Sequence, residues 1–393
     1  MSWKTSDLMS VRREFSKLAM CDGANVSALC VRFGISRKTG YKWLDRYRQE
    51  GEAGLVERSR RPNVLRCPTA ADMEQRVLEL RDKHPAWGGR KLRARLLALG
   101  HDDVPAASTI SGILKRHGRI SPEASHAHQP FQRFERPAPN ELWQIDFKGE
   151  FAMDNGRYCY PLTVLDDHSR YVVGLAACAD QTRESVMERL IDVFRRYGLP
   201  QAMYADNGPP WGSMNSPTRQ TRFTTWLMRM DIEVIHGTPY HPQGRGKEER
   251  FHRTLKAELL QDRRFAHLAA AQLQFNPWRD VYNHERPHEA LGLRPPAERY
   301  RPSVRSYPEA LPVFEYSSRF TVRRTNPVGQ FRFKGQQLKI GEAFAGQPIG
   351  LTPTLVDGVW DVYFCHFPVG QFDLRDPDPR VRPAGSLATM SDG

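Results

Sequence analysis

What the chain lacks narrows its class first. Its six cysteines, Cys21, Cys30, Cys67, Cys159, Cys178 and Cys365, are scattered and contain no C-x-x-C pair. That argues against a disulfide framework and a zinc module, and points to a reduced, intracellular protein. No 18-residue apolar stretch could span a bilayer, and no N-terminal apolar run resembles a signal peptide. A cytoplasmic protein is expected. Acidic charge is also short, but only at one end: residues 1–120 hold 24 Lys and Arg against 13 Asp and Glu, whereas the remainder holds 34 against 32. The net charge of +13 is thus mostly N-terminal. A basic module joined to a nearly neutral body suggests one part for holding nucleic acid and another for something else.

What is present is enough to fold. With 39% hydrophobic and 10% aromatic residues over 393 positions, the chain can bury real cores and should divide into two to four domains. Residues 25–49, NVSALCVRFGISRKTGYKWLDRYRQ, show two helical periods interrupted by Gly34. Val26, Leu29 and Cys30 form one apolar stripe, and Tyr41, Leu44 and Tyr47 continue it at helical spacing. Ser36 can cap the second helix, whose first turn and outer face carry Arg37, Lys38, Thr39, Lys42 and Arg46. This is a helix-turn-helix pattern with its second helix suited to a major groove, although an αα-hairpin with a solvated basic face has the same spacing. The ERSRRP run that follows offers Arg58, Arg60 and Arg61 to phosphates. A second helical unit is expected from a helix over 72–83, a helix over 90–99 bearing Arg90, Lys91, Arg93 and Arg95, and a third capped by Ser108. The stretch that follows, including His126 and His128, is rich in Pro, His and Ser and reads as a linker.

From Glu141 the pattern changes to strands. In ELWQIDFKGEF, Leu142, Gln144 and Asp146 alternate with Trp143, Ile145 and Phe147, so Asp146 lies mid-strand, where a charge is costly unless paired or bound to metal. Two more strands, YCYPLTVLDD and YVVGLAAC, flank a turn at HSR, and Asp166 and Asp167 read as turn residues. A helix over 183–197 leads to a strand ending at Asp206 in YADNG, where Asn207-Gly208 is a turn signal. After another helix and the strand DIEVIH comes TPYHPQGRGKEERFHRTLKAELLQ. There Phe251, Leu255 and Leu259 would make a buried helical stripe, with Glu249, His252, Arg253 and Lys256 on another face. Taken alone, Asp206 is a turn aspartate and Glu249 a solvated helical acid.

Together, Asp146, Asp206 and Glu249 resemble the Asp-Asp-Glu triad of retroviral integrases and related bacterial insertion-sequence transposases. The resembling segments are LWQIDFKG, VLDDHSRYVVG, YADNG, TPYHPQGRGKEERFHRTLK and YNHERPHEALGLRPPAERY. The resemblance implies a ribonuclease H-like α/β core, a mixed five-stranded sheet with flanking helices. It implies metal-dependent polynucleotidyl transfer, with two Mg²⁺ ions (or Mn²⁺ in their place) held by Asp146, Asp206 and Glu249, and Asp146 bridging. It implies double-stranded DNA as partner, both the element's terminal inverted repeats and the target, and a homo-oligomer acting on paired ends near the bacterial nucleoid. Glu249 is chosen over its neighbour Glu248 by the pattern Gly-Lys-x-Glu-Arg. The sequence departs from the pattern in having 42 residues between Asp206 and Glu249, several more than usual. The excess is expected in PPWGSMNSPTR, as a surface loop able to touch DNA. His241 and Lys247 could contact phosphate, and YNHERPHEALGLRPP reads as structural, with DNA contact as a second role. The His-His-Cys-Cys zinc module of retroviral integrases is absent.

Residues beyond 310 alternate apolar and polar over short runs, which suggests a small β-barrel. The resemblance to integrases implies that it helps bind DNA, a role Arg319, Arg323, Arg324, Arg332, Lys334 and Lys339 fit, although solvated strand faces look the same. The expected organisation is multidomain: a helix-turn-helix domain over 1–62, a second helical domain over 63–118, a linker over 119–139, the catalytic core over 140–302, the barrel over 303–373 and a mobile tail over 374–393. The function expected is that of an insertion-sequence transposase. Rival readings are a catalytically inactive DNA-binding regulator and a nuclease without strand transfer.

Overall fold

The computed structural model describes residues 8–58, 69–120, 135–236, 246–261 and 263–384. Two compact units divide at Pro68 and Thr69. The first is three helices: α1 (Leu8–Ala19), α2 (Val26–Arg32) and α3 (Arg37–Glu50). Asn25 caps α2 through the amide of Ala28, and Ser36 caps α3 through the amide of Thr39. Each cap satisfies a donor that the first helical turn leaves open. Gly34 turns the chain between them with φ +66°. Phe15 of α1, which the sequence pattern did not single out, is fully buried with Cys30, Ile35 and Leu44. The buried stripe of α3 runs through Gly40, Trp43 and Leu44. Tyr41, expected on that stripe, is 48% exposed.

In the second unit, α4 (Ala71–Lys83), α5 (Gly89–Ala98) and α6 (Ala107–Arg116) pack around Val77, Trp87, Leu92, Ile110, Ile113 and Leu114. The start of α6 has no side-chain cap, so the expected capping by Ser108 does not occur. The mixed sheet follows: β1 (Leu142–Phe147), β2 (Phe151–Ala152), β3 (Tyr158–Asp166), β4 (Val172–Cys178), β5 (Ala202–Ala205) and β6 (Glu233–His236). Its main strands lie in the order β4-β3-β1-β5-β6, and the short β2 pairs with the opening of β3. β1 to β3 and β3 to β4 are antiparallel, and β1 to β5 and β5 to β6 are parallel.

Helices cover both faces of this sheet. Trp143 and Ile145 of β1 and Met203 and Ala205 of β5 pack with α7 (Arg183–Tyr197) and α8 (Arg222–Arg229). On the opposite face, Leu165, Val172 and Leu175 pack with α9 (Gly246–Leu255), its π-helical continuation Lys256–Leu260, and α10 (Leu268–His284). The expected stripe of Phe251, Leu255 and Leu259 is the buried one. The expected surface insertion is different: Trp211 is buried against Phe147 and Phe223, and Thr218 donates to the carbonyl of Ile340. An indole is too large an apolar surface to leave in water when a core edge is within reach.

The C-terminal region has β7 (Thr321–Arg324), β8 (Gln330–Phe333), β9 (Gln336–Lys339), β10 (Pro348–Pro353), β11 (Val359–Phe364) and β12 (Phe367–Asp373). These form an open four-stranded sheet, β12-β11-β10-β7, and a separate hairpin, β8-β9. The expected barrel does not close, because no ladder joins the hairpin to either edge of the sheet. Apolar side chains of both pieces share one core around Phe333, Phe344, Ile349 and Phe372, which stands in for closure. Part of the expected mobile tail belongs to this core as well, since Val381 is buried in it and Arg382 forms a backbone bridge with Gln371. Residues 385–393 lie outside the described residues.

Candidate active site

β1 and β5 run parallel with Leu142 opposite Ala202 and Gln144 opposite Tyr204. Continuing that register by two residues sets Asp146 level with Asp206, on strands about 4.8 Å apart. Residues level on adjacent strands share a face, and Met203 and Ala205 face α7 and α8. Both aspartates therefore belong to the other face, where α9 packs. Each is half-buried and has one oxygen fixed by the next backbone amide: Phe147 donates to Asp146 at 2.8 Å and Asn207 to Asp206 at 2.6 Å. The YADNG turn and a displayed carboxylate are thus the same structure. From β6, His236 Nδ1 donates to the carbonyl of Asp206 at 3.0 Å, and burial lowers the pKa of this ring. Sequence reasoning missed His236; its signal was only its place at the end of the strand beside Asp206.

The third acid comes from α9. Thr163, directly opposite Asp146 in the β1–β3 ladder, donates from Oγ1 to the carbonyl of Asp146 at 2.9 Å and lies 2.9 Å from His252 Nε2. The imidazole therefore turns inward, not onto the exposed face with Arg253 and Lys256 as its spacing suggested. Burial, with Lys148 nearby, holds its pKa down at about 4, so it is neutral near pH 7. Glu249 lies one helical turn before His252 and is exposed, whereas Glu248 is buried. Among the described residues no three His, Cys, Asp or Glu side chains form a group that could hold a metal ion. Residues 237–245, which lead into α9 and include His241, lie outside the described residues. The available donors are carboxylate oxygens, the hard ligands that fit Mg²⁺.

Asp166 and Asp167 are fully buried. Asp166 shapes the expected turn by accepting from the amide and hydroxyl of Ser169, and from the amide of Asn140 at 2.7 Å. Burial raises its pKa against those hydrogen bonds. Asp167 does more: it accepts from Gln144 Nε2 and from the amide of Arg136, each at 2.9 Å, and is ion-paired with Lys247. Lys247, expected to meet DNA, is committed to this internal pair with 14% of its side chain exposed.

The remaining basic residues divide in the same way. On α3, Arg37, Lys38 and Lys42 are exposed; Thr39 shares its hydroxyl with the Ser36 cap, and Arg46 and Lys42 lie over the Trp43 ring at 5.1 and 4.8 Å. Arg58 is exposed and paired with Glu50, while Arg60 and Arg61 lie outside the described residues. On α5, Arg93 is exposed, but Arg90 lies 3.8 Å from Glu289 and Arg95 2.6 Å from Glu285. Lys91 is partly buried, and that burial, with Arg286 nearby, lowers its pKa to about 8. Arg95 is thus engaged by an acid at the end of α10, whereas Arg90 keeps 69% of its side chain exposed and Arg93 is open to solvent. Arg253 on α9 and Lys256, which opens its π-helical continuation, are exposed. The YNHERPH segment is structural: Asn283 bonds both backbone groups of Val172, and Arg286 pairs with Glu258 at 2.9 Å.

Two models of the integrase core domain match residues 136–242, which hold this mixed sheet, and 230–296. Models of a helix-turn-helix domain and a homeodomain-like domain match 11–63 and 39–114, and the C-terminal domain of IS481 family transposases matches 320–379. The chain is an insertion-sequence transposase with an integrase-like core and an N-terminal helix-turn-helix. It is 28% identical to a 39.2 kDa protein of insertion element IS476 from Xanthomonas euvesicatoria, over 63% of this chain and 69% of that one. It is 27% identical to a 31.7 kDa protein of IS407 from Burkholderia multivorans, over 55% and 83%. A simian T-cell lymphotropic virus intasome structure aligns at 16% identity over 79% of this chain and 99% of that one, with a TM-score of 0.36.

Proposed function

We propose that this transposase binds the terminal inverted repeats of its element through the first helical unit and cuts and joins DNA at Asp146, Asp206 and Glu249. The observation that carries this reading is the parallel β1–β5 register, which, continued by two residues, levels Asp146 with Asp206; Glu249 enters it as the exposed acid of α9, the helix packed on that face of the sheet. Two Mg²⁺ ions held by the three carboxylates would generate the attacking oxygen and neutralise charge on the scissile phosphate. The chain's own part is to fix those acids: backbone amides hold Asp146 and Asp206, and the His252–Thr163 contact holds the helix against β1 and β3. Water first frees a 3′-OH at each element end, and that hydroxyl then attacks a target strand. Joining two ends calls for a homo-oligomer. Exposed Arg37, Lys38, Lys42 and Arg93, with Arg253 and Lys256 beside the acids, are the DNA-facing residues in this reading.

The test uses full-length protein, Mg²⁺ and DNA carrying the ends that flank its gene, followed for freed 3′ ends and joined products. Wild type is expected to cut and join; Asp146→Asn, Asp206→Asn and Glu249→Gln should lose about 10²–10³-fold or more, of the order seen when charge-stabilising groups are removed, while keeping end binding. End binding without cleavage in any divalent metal would replace the transferase with a DNA-binding regulator.

A further inference from the structure

The buried carboxylate of Asp167 joins three segments that lie apart in the sequence. Its Oδ1 accepts from Gln144, two residues before Asp146 on β1, and is paired with Lys247, two residues before Glu249 on α9. Its Oδ2 accepts from the amide of Arg136, where the chain enters the core, and its own amide donates to Leu142 at 2.9 Å. Lys247 Nζ also lies 3.4 Å from the carbonyl of Asp167, so the ammonium is held by two oxygens of one residue. A charge pair this far from water is maintained only when each partner has further hydrogen bonds, which Asp167 has. The pair sits at the first turn of α9, and His252 anchors the second turn on Thr163.

From this arrangement we infer that Asp167 is a positioning residue, which through Lys247 holds the first turn of α9 at the strand bearing Asp146 and so sets where Glu249 stands. The inference rests on the proposed role of Glu249. With the anchor removed, the helix would remain folded, because Phe251, Leu255 and Leu259 still bury its stripe, but its first turn would loosen.

Removing one partner leaves an uncompensated buried charge and endangers the fold, so the informative variant is the double change Asp167→Asn with Lys247→Met, which removes both charges together. Three quantities are measured on full-length protein: amide hydrogen exchange over residues 246–252 without metal, Mn²⁺ affinity by calorimetry, and joining of element ends. The expected result is exchange at least 10-fold faster confined to that turn, Mn²⁺ bound at least 5-fold more weakly, and joining reduced at least 10-fold, with melting temperature and end binding close to wild type. Lys247→Arg, which keeps the pair, should leave all three close to wild type. Exchange and Mn²⁺ affinity equal to wild type in a folded double variant would overturn the inference. So would faster exchange spread evenly over the whole core, which marks a general structural role. If exchange and affinity shift as expected but wild type itself joins nothing, the positioning stands and the transferase reading fails.

Discussion

His84 shows how far burial alone can move a side chain's chemistry. It closes α4, stacks on Trp87 at 3.9 Å, and has its pKa lowered from 6.5 to about 4 by burial, with Lys83 and Arg95 adding to the effect and Glu285 opposing it. The folded ring stays neutral while the unfolded one takes up a proton below about pH 6.5. The stabilisation is therefore complete above that pH and is lost as pH falls from about 6.5 to about 4. His84→Gln, which does not titrate, should lower the melting temperature at pH 7 through lost stacking yet shrink the drop between pH 7 and pH 5; an unchanged drop would show that His84 titrates normally. At this scale the sequence was legible for Asp146 and Asp206, because strand alternation and an Asn-Gly turn leave marks in the letters. It was not legible for Lys247 or Lys91: a lysine that pairs inside a protein and one that meets DNA look alike until their neighbours are known.

Among the elements, α3 offers a contest between propensity and packing. Alanine at Gly40 should favour the helix by about 1 kcal/mol. A Cβ there would lie 2.4 Å from Cys30 Sγ and 2.9 Å from the Phe15 ring, contacts that must be relieved by moving α1 and α2 at a cost of about 1–3 kcal/mol. Packing is expected to win, so Gly40→Ala should speed hydrogen exchange across α3 and weaken end binding in the full-length protein; slower exchange would mean that the three helices separate without strain. Elements with their own periodicity were readable, including α3, α7 and the stripe of α9. Those whose definition is relational were not. The two-residue β2 exists only by pairing with β3, and the open C-terminal sheet has the same alternation that a closed barrel would have.

For the molecule as a whole, the charge excess lies in the N-terminal residues, but the structure commits part of it internally. Arg12 bonds Leu55 and Glu57, and Arg90 and Arg95 face Glu289 and Glu285. End binding should therefore respond to salt less steeply than a count of basic residues implies. Lys42→Ala is expected to reduce the slope of log K against log[salt] by about 1, while Arg95→Ala should leave it unchanged. Binding measured from 50 to 200 mM salt tests both, and an equal effect of the two would return α5 to the DNA.

β7 is bonded on one side only, to β10, so its outer row of amides and carbonyls could accept a strand from a neighbouring molecule. Arg323 and Arg324 are exposed along that strand. Two such edges brought side by side would set guanidinium against guanidinium, which is one way natural sheets discourage stacking into ribbons. The arginines of β7 thus leave the edge open to water while setting it against its own copy.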